Sequence, residues 1–186
     1  MALECLLNKG LSRADVCGYS LKQIVDIYLA NYSEVESTIS PDEAAGYTVK
    51  TITGETKWYK FEPSKDTSSY NDDLVVGGNG SKYRTHTMTF SFNGAYSATV
   101  AEVLDDLSLG KFVAVLKLSD GSAIMLGRLT GLEASAASSL SEAAADGQNG
   151  ITVTLECNTT EPALPVDKTA LASIVEASKE DEGEGA

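Results

Sequence analysis

The clearest pattern in the chain is the alternation of side chains in Lys82–Asn93, which reads KYRTHTMTFSFN. Met88, Phe90 and Phe92 point to one side of an extended chain, and the threonines between them point to the other. Residues 151–157, ITVTLEC, alternate in the same way. Both segments are therefore predicted to be strands with one buried face and one polar face.

Residues 112–126 read FVAVLKLSDGSAIML, with two apolar runs on either side of Asp120-Gly121. The first run is nearly continuous, as in a strand that is buried on both faces. The Asp-Gly pair favours a tight turn with positive φ, so the segment predicts a β-hairpin. Gly127 and Gly131, just beyond it, are predicted to allow a bulge or a close backbone approach.

Residues 99–109, TVAEVLDDLSL, carry the spacing of a helix with one apolar stripe. The residues of the stripe are Val100, Val103, Leu104 and Leu107. Ser97 or Thr99 is predicted to cap the start of the helix, and Gly110 to end it. A helix with a single apolar stripe is expected to lie on the flank of a sheet.

Four other segments carry mixed signals. Residues 22–30 fit both helical spacing and alternation, and their β-branched and aromatic content favours a strand. Residues 47–63 have strand composition around a Thr-Gly-Glu turn and predict a hairpin. Residues 131–140 are small and polar, which suits a loop or a sheet edge. Residues 166–178 are interpreted as a C-terminal extension, either a short helix or an added strand.

Residues 64–80 are polar and glycine-rich, and they predict a long loop. Long ordered loops are uncommon in compact domains, so this segment is either a mobile insert or an arm that reaches a neighbour. The acidic residues 179–186 are expected to form a mobile tail. Residues 1–165 are then one mainly β domain, a β-sandwich or partly closed barrel with one flanking α-helix.

The chain is strongly acidic, with 14 Lys and Arg against 27 Asp and Glu, a formal net charge of -13. Such a chain repels phosphate, which argues against sequence-specific nucleic-acid binding and against binding to anionic membranes. The acidity serves solubility or a specific function. The first ten residues lack a basic n-region and a long apolar run, so we expect a protein made in a cytoplasm and not exported by a cleaved signal.

The sequence offers little catalytic chemistry. It has no phosphate-binding glycine loop followed by a lysine and no GxSxG motif. Cys5, Cys17 and Cys157 have no spacing typical of a zinc site, and their odd number argues against a disulfide framework. We therefore predict no catalytic, cofactor-binding or metal-binding residues, no cofactor, and a protein that is not an enzyme.

The titratable residues that could carry chemistry have simpler explanations. His86 is the sole histidine and is interpreted as a strand-edge residue without a chemical role. Asp72-Asp73 and Asp105-Asp106 are adjacent pairs, whose side chains diverge on a helix or a strand. Both pairs are predicted to be solvated rather than catalytic or calcium-binding.

Two further residues leave a choice between a structural and a binding role. Trp58, with Tyr59 and Phe61 beside it, could form a sugar-stacking platform, although core or interface packing is favoured. Arg128 could bind an anion, although an ion pair between subunits is favoured in a chain this acidic.

The order of these segments resembles a known family. THTMTFSF is followed by VAEVLDDLSLGK, FVAVLKLSDGSAIMLGR, GLEASAASS and ITVTLEC, and the earlier CGYSLKQIVDIYLANYSEV resembles an opening strand. Residues 18–165 are in this respect similar to the tail tube proteins, and related virion tail proteins, of tailed bacteriophages and Bacteroides-type prophages.

The resemblance implies a structural virion protein. In that family six copies form a ring whose strands line a channel, and rings stack into a tube through which DNA passes. The implied partners are other copies of the chain, a tape-measure protein and other tail proteins, with DNA only as non-specific cargo. The implied location is the virion tail, assembled in the cytoplasm of a bacterial host. The alternatives are a tail terminator, a capsid decoration protein, or a carbohydrate- or ligand-binding β-sandwich module.

Overall fold

The computed structural model describes residues 22–35, 39–42, 47–52, 56–93, 96–141 and 149–179. The strands in these ranges are β1 Ile24–Asn31, β2 Ile39–Asp42, β3 Thr48–Ile52, β4 Tyr59–Phe61, β5 Ser69–Val76, β6 Lys82–Asn93, β7 Lys111–Leu118, β8 Ala123–Leu126, β9 Leu132–Ser141, β10 Asn149–Thr159 and β11 Leu164–Val166. The helices are α1 Tyr32–Val35, α2 Ala98–Leu109 and α3 Lys168–Lys179.

The described strands form one large mixed sheet that is not closed. Its order is β2-β3-β11-β8-β7-β9-β10-β6-β5, and β1 branches from β7 and pairs with β4. The β3–β11 pair is parallel and the other pairs are antiparallel. The predicted mainly β class is confirmed. The two separate sheets of a sandwich are not found among these strands.

Strand β7 lies between two hydrophobic clusters. Val113 and Val115 point into one cluster, which also contains residues of α3 and is called here the α3-side core. Ala114 and Leu116 point into the other cluster, which contains Leu107 of α2 and residues of β6 and β10, and is called the α2-side core. Residues 112–116 are all buried. The prediction of a strand buried on both faces is confirmed, because side chains alternate between the two cores.

The helix predicted at 99–109 is confirmed as α2. The Ser97 side chain accepts a hydrogen bond from the Val100 backbone N–H at 3.3 Å, and the Gly110 N–H donates to the Asp106 carbonyl at 2.8 Å. Residues 166–178 are predicted to be a short helix or an added strand. The helix is confirmed as α3, which begins at Lys168 and buries Ala170, Leu171 and Ile174. No helix in the described ranges is both long and apolar enough to cross a bilayer.

Two glycine predictions are confirmed next to the β7–β8 hairpin. Gly127 has φ 74°, and a Cβ placed there would lie 2.7 Å from Leu132 Cγ. Gly131 has φ 69°, and its Cβ would lie 2.6 Å from carbon atoms of the Lys111 side chain. Only glycine combines this backbone conformation with such a close approach. Both residues let the chain cross from β8 to β9 against the end of β7.

Two connections differ from the sequence prediction. Residues 64–80 are not a long loop, because β5 occupies much of the segment and pairs with β6 along its whole length. The predicted hairpin at 47–63 is also wrong, since β3 pairs with β2 and β11 whereas β4 pairs with β1. The reason is tertiary: Val49 of β3 belongs to the α3-side core, whereas Phe61 of β4 packs on the α2-side core.

The remaining predictions are confirmed or lie outside the described residues. Residues 22–30 form strand β1, as favoured. From Ala134 onward β9 pairs with β10 alone among the described strands, so the segment is an edge strand rather than a loop. The Thr-Gly-Glu turn, Cys5, Cys17 and the acidic residues 180–186 lie outside the described residues.

Candidate assembly surfaces

The β5–β6 hairpin carries exposed aliphatic side chains at its tip. Leu74 is 60% exposed and Val76 is 59% exposed. Val76 lies directly opposite Lys82 in the antiparallel register, so the two side chains share a face. We call Leu74, Val76 and Lys82 the hairpin tip. The sequence predicts a loop here, because the polar residues 64–73 are followed by only three apolar residues, LVV, before two glycines.

The outer edge of β5 has no partner strand among the described residues. Strand β5 pairs with β6 on one side only, and it is eight residues long. An unpaired edge offers a row of backbone N–H and C=O groups to another strand. Exposed aliphatic side chains beside such an edge make it a candidate contact surface.

A second surface is formed by the polar sides of β6 and β10, and we call it the threonine face. Thr89 Oγ1 and Thr154 Oγ1 are 3.1 Å apart, and Ser91 Oγ and Thr152 Oγ1 are 2.8 Å apart. Both pairs are within hydrogen-bond distance, so in each pair one hydroxyl donates to the other across the strands. The register adds Thr85, Thr87, Asn158 and the acids Asp73 and Glu156 to this face. The surface is therefore polar, with negative charge but no Lys or Arg among these positions.

A third surface is an apolar groove between α2 and the strands β1, β4 and β7, called here the α2 groove. Its cavity has a volume of about 550 Å³, and Tyr59, Phe61 and Leu107 are among the residues that line it. A neighbouring cavity of about 190 Å³ shares Phe61 and Leu107 and has an almost entirely apolar lining. Leu109, at the end of α2, is 82% exposed at the mouth of the groove. Asp106 lines the same cavity and gives it an acidic rim.

Arg128 forms a buried ion pair within the chain. Its Nη2 lies 2.6 Å from Glu161 Oε1, and its Nε lies 2.9 Å from Glu161 Oε2, which is a bidentate geometry. A third donor, Nη1, reaches the Ile39 carbonyl at 3.2 Å. Glu161 is only 8% exposed. The expected ion pair between subunits is therefore wrong, because the acidic partner comes from the β10–β11 connection of the same chain.

His86 lies inside the sheet rather than at a strand edge, because β6 pairs with both β5 and β10. The Gly127 backbone N–H donates to His86 Nδ1 at 3.3 Å. His86 Nε2 is buried, without a hydrogen-bond partner in the described part of the chain, and lies 3.6 Å from Asp72 Oδ1. Burial lowers the pKa of His86, and the nearby Asp72 carboxylate opposes this effect. The prediction of an edge histidine is therefore wrong.

Asp72 is partly buried and bonded, so the prediction of a solvated Asp72-Asp73 pair is wrong for its first member. Asp72 Oδ1 accepts from Arg84 at 2.7 Å, and Oδ2 accepts from the Ala163 backbone N–H at 3.0 Å. Asp73 is exposed, as predicted. Asp105 and Asp106 are both exposed, as predicted, and Asp106 lines the α2 groove.

Trp58 is 2% exposed and lies in the α3-side core. The favoured interpretation of core packing is confirmed, and a sugar-stacking platform built on Trp58 is excluded. Burial raises the pKa of the Cys157 thiol, which disfavours the reactive thiolate. The described residues contain no group of three His, Cys, Asp or Glu side chains that could hold a metal ion.

Comparison with known proteins gives no family assignment: no protein-family model matches the chain, and no curated protein sequence matches it significantly.

Proposed function

We propose that this chain is a structural subunit that assembles with copies of itself, as a tail tube protein of a tailed bacteriophage does. The observation that carries the proposal is the outer edge of β5, which has no partner strand in the described part of the chain and has Leu74 and Val76 exposed beside it. Natural monomers protect long edge strands with charges, prolines, bulges or covering segments. Asp73 supplies a charge in the middle of β5, but the strand has no proline or bulge and ends on two exposed aliphatic residues. Pairing with a second copy would satisfy both the backbone groups and the apolar side chains.

The threonine face supports a channel wall in such an assembly. Its hydroxyls pair across β6 and β10, and each pair uses one of its two O–H donors, which leaves fewer donors for a passing phosphate. Its charged members Asp73 and Glu156 are both acidic. DNA carries about one charge per 1.7 Å of helix, and an acidic wall lets it slide whereas a basic wall would hold it. We infer a mechanical rather than catalytic role, in a virion tail that is assembled in a bacterial cytoplasm.

The proposal is tested by the assembly state of the purified chain. We expect negative-stain microscopy and sedimentation velocity, over a rising protein concentration, to show rings that stack around a central channel. Rings that never stack would favour the tail terminator or decoration protein. A chain that remains monomeric at every salt concentration and pH would overturn self-assembly.

The channel wall is tested separately by placing positive charge on the threonine face. We expect tubes of the variant Thr89→Lys/Thr154→Lys to retain duplex DNA, with an affinity that falls steeply with salt, while wild-type tubes do not. The matched control is Ser173→Lys, on the exposed side of α3. Filter binding of labelled DNA measures the effect. Equal DNA retention by both variants would place the threonine face away from the channel.

A further inference from the structure

We propose that the hairpin tip of one copy docks into the α2 groove of a second copy. The inference rests on the proposed function, which requires self-association, and it names the two surfaces that meet. The tip projects aliphatic side chains from the end of a hairpin, and the groove is an apolar concavity on a different part of the same sheet. The tip is a projecting apolar surface and the groove is a recessed one, so their shapes are complementary.

The α2 groove is large enough to take up side chains of the tip. The α2 groove and its neighbouring cavity have volumes of about 550 and about 190 Å³ and meet at Phe61, Val103 and Leu107. The volume of the α2 groove falls within the range of about 300–1,000 Å³ that is typical of concave binding sites. Leu74 and Val76 lie on one face of β5, two residues apart, so both side chains can enter the same groove. Leu109, at the mouth, would lose its exposure on docking.

The charges of the two surfaces are also complementary. Lys82 lies on the same face of the tip as Val76 and is exposed, although acids outnumber bases almost two to one in this chain. Asp106 is the charged residue among the described residues that line the α2 groove, and its helix carries no basic residue. A tip with a cation therefore approaches a groove with an acidic rim, which favours this occupant over an acidic surface of the same chain.

The contact joins two different patches, so it is heterologous. A heterologous contact leaves one tip and one groove free after each addition, and it builds either a closed ring or an open stack. This geometry fits a tube subunit. It also distinguishes the proposal from a symmetric dimer, in which the same patch meets itself.

The test uses one variant for each surface and a matched control. Leu74→Thr/Val76→Thr removes the apolar tip and keeps side chains that favour strands. Leu109→Lys fills the mouth of the groove with a charge that suits a helix C-terminus. Leu129→Lys changes a leucine that is 41% exposed and belongs to neither surface. Sedimentation velocity of each full-length chain gives the concentration at half-assembly.

We expect the tip variant to raise the half-assembly concentration about 100-fold and the groove variant roughly 10-fold, while the control behaves like the wild type. Mixing the tip variant with the groove variant restores one intact contact per pair. The mixture should then form pairs with twice the 19.6 kDa mass of the chain, at a concentration where neither variant alone associates.

Three results would overturn the contact. If the wild type assembles and both variants assemble equally well, the docking is wrong and the proposed function stands. If the variants fail singly and also fail when mixed, the two patches do not meet each other. If the wild type never assembles, the proposed function fails as well.

A cross-linking measurement covers the case in which a variant does not fold. Copies with Val76→Cys and copies with Leu109→Cys are mixed and treated with a short bismaleimide. We expect a covalent dimer above the wild-type background in that mixture, and none when Leu129→Cys replaces Leu109→Cys. Equal yields in the two mixtures would count against the docking.

Discussion

Two constraints require glycine at position 127: the backbone conformation and the space beside the Cα atom. Its backbone has positive φ, and the space beside its Cα is filled by Leu132. Gly121 also has positive φ, 79°, but an added Cβ would meet nothing within 4 Å. Substitution of Gly121 therefore introduces backbone strain alone, whereas substitution of Gly127 introduces strain together with steric overlap.

We expect Gly127→Ala to lower the free energy of unfolding by about 2–5 kcal/mol, since strain of about 1–2 kcal/mol adds to overpacking of about 1–3 kcal/mol. Gly121→Ala should lose only the strain contribution of about 1–2 kcal/mol. Urea denaturation followed by far-UV circular dichroism measures both. Equal losses in the two variants would mean that Leu132 moves aside at no cost.

His86 makes folding depend on pH in a defined direction. Its pKa in the folded chain is lowered from 6.5 by burial, so the unfolded chain binds the proton more readily. Between the two pKa values the unfolded state holds more protons, and the stability therefore falls as the pH drops below 6.5. Protonation of Nδ1 would also break the hydrogen bond from the Gly127 N–H.

We expect the urea midpoint of the wild type to fall between about pH 7.5 and about pH 5 more than that of His86→Gln, which cannot take up a proton in this range. Both chains share the same carboxylates, so the difference between the two profiles isolates the histidine. Parallel profiles would show that His86 does not titrate differently in the two states.

At the scale of elements, the Arg128–Glu161 pair ties the turn after β8 to the connection between β10 and β11, and it also reaches β2 through Ile39. We expect Arg128→Met to cost about 3–5 kcal/mol of unfolding free energy, because it leaves the Glu161 carboxylate buried and unpaired. Arg128→Met/Glu161→Met should recover most of this loss. Thermal and urea unfolding measure both variants.

The matched control for the ion pair lies at the surface. Lys179 and Glu176 are 3.4 Å apart at the end of α3, and both side chains are mostly exposed. We expect Lys179→Met to change stability by less than about 1 kcal/mol. An equally small effect of Arg128→Met would show that Glu161 finds water or a proton when its partner is removed.

The elements that could be predicted from sequence are those whose signal is local. Strand β6 alternates over twelve residues, and α2 combines an apolar stripe with Ser97 at its start. The Asp-Gly turn specifies the β7–β8 hairpin through the positive φ of Gly121. In each case the residues of the element itself predict its type and which of its side chains are buried.

The elements that could not be predicted depend on distant partners. Strand β5 is polar over its first half, so nothing in its own residues shows that β6 will pair with it. The sequence of β3 and β4 is typical of two strands of one hairpin, yet the two strands pack against different hydrophobic cores. Arg128 and Glu161 lie 33 positions apart, and no short motif connects them. The polar faces of β6 and β10 could be predicted from their alternation, and the structure joins them into one surface. The α2 groove could not be predicted, since it combines residues of a helix and three separate strands.

At the scale of the whole molecule, the net charge of -13 opposes assembly, because every copy repels every other copy. One Lys82 in each contact offsets only a small part of this repulsion. We expect added salt to favour assembly, with a lower half-assembly concentration at about 0.5 M than at about 0.05 M ionic strength, as the screening length shortens. Light scattering across a salt series measures it, and assembly that weakens steadily with salt would indicate that attraction between opposite charges dominates.

The position of β7 between the two cores has a consequence for how the chain melts. Successive side chains of β7 pack into different cores: Val113 lies in the α3-side core and Ala114 in the α2-side core. Neither half can come apart without releasing the strand that the other half needs. On heating, both halves should therefore unfold in a single cooperative transition. The amide protons of β7 should be among the slowest to exchange with solvent.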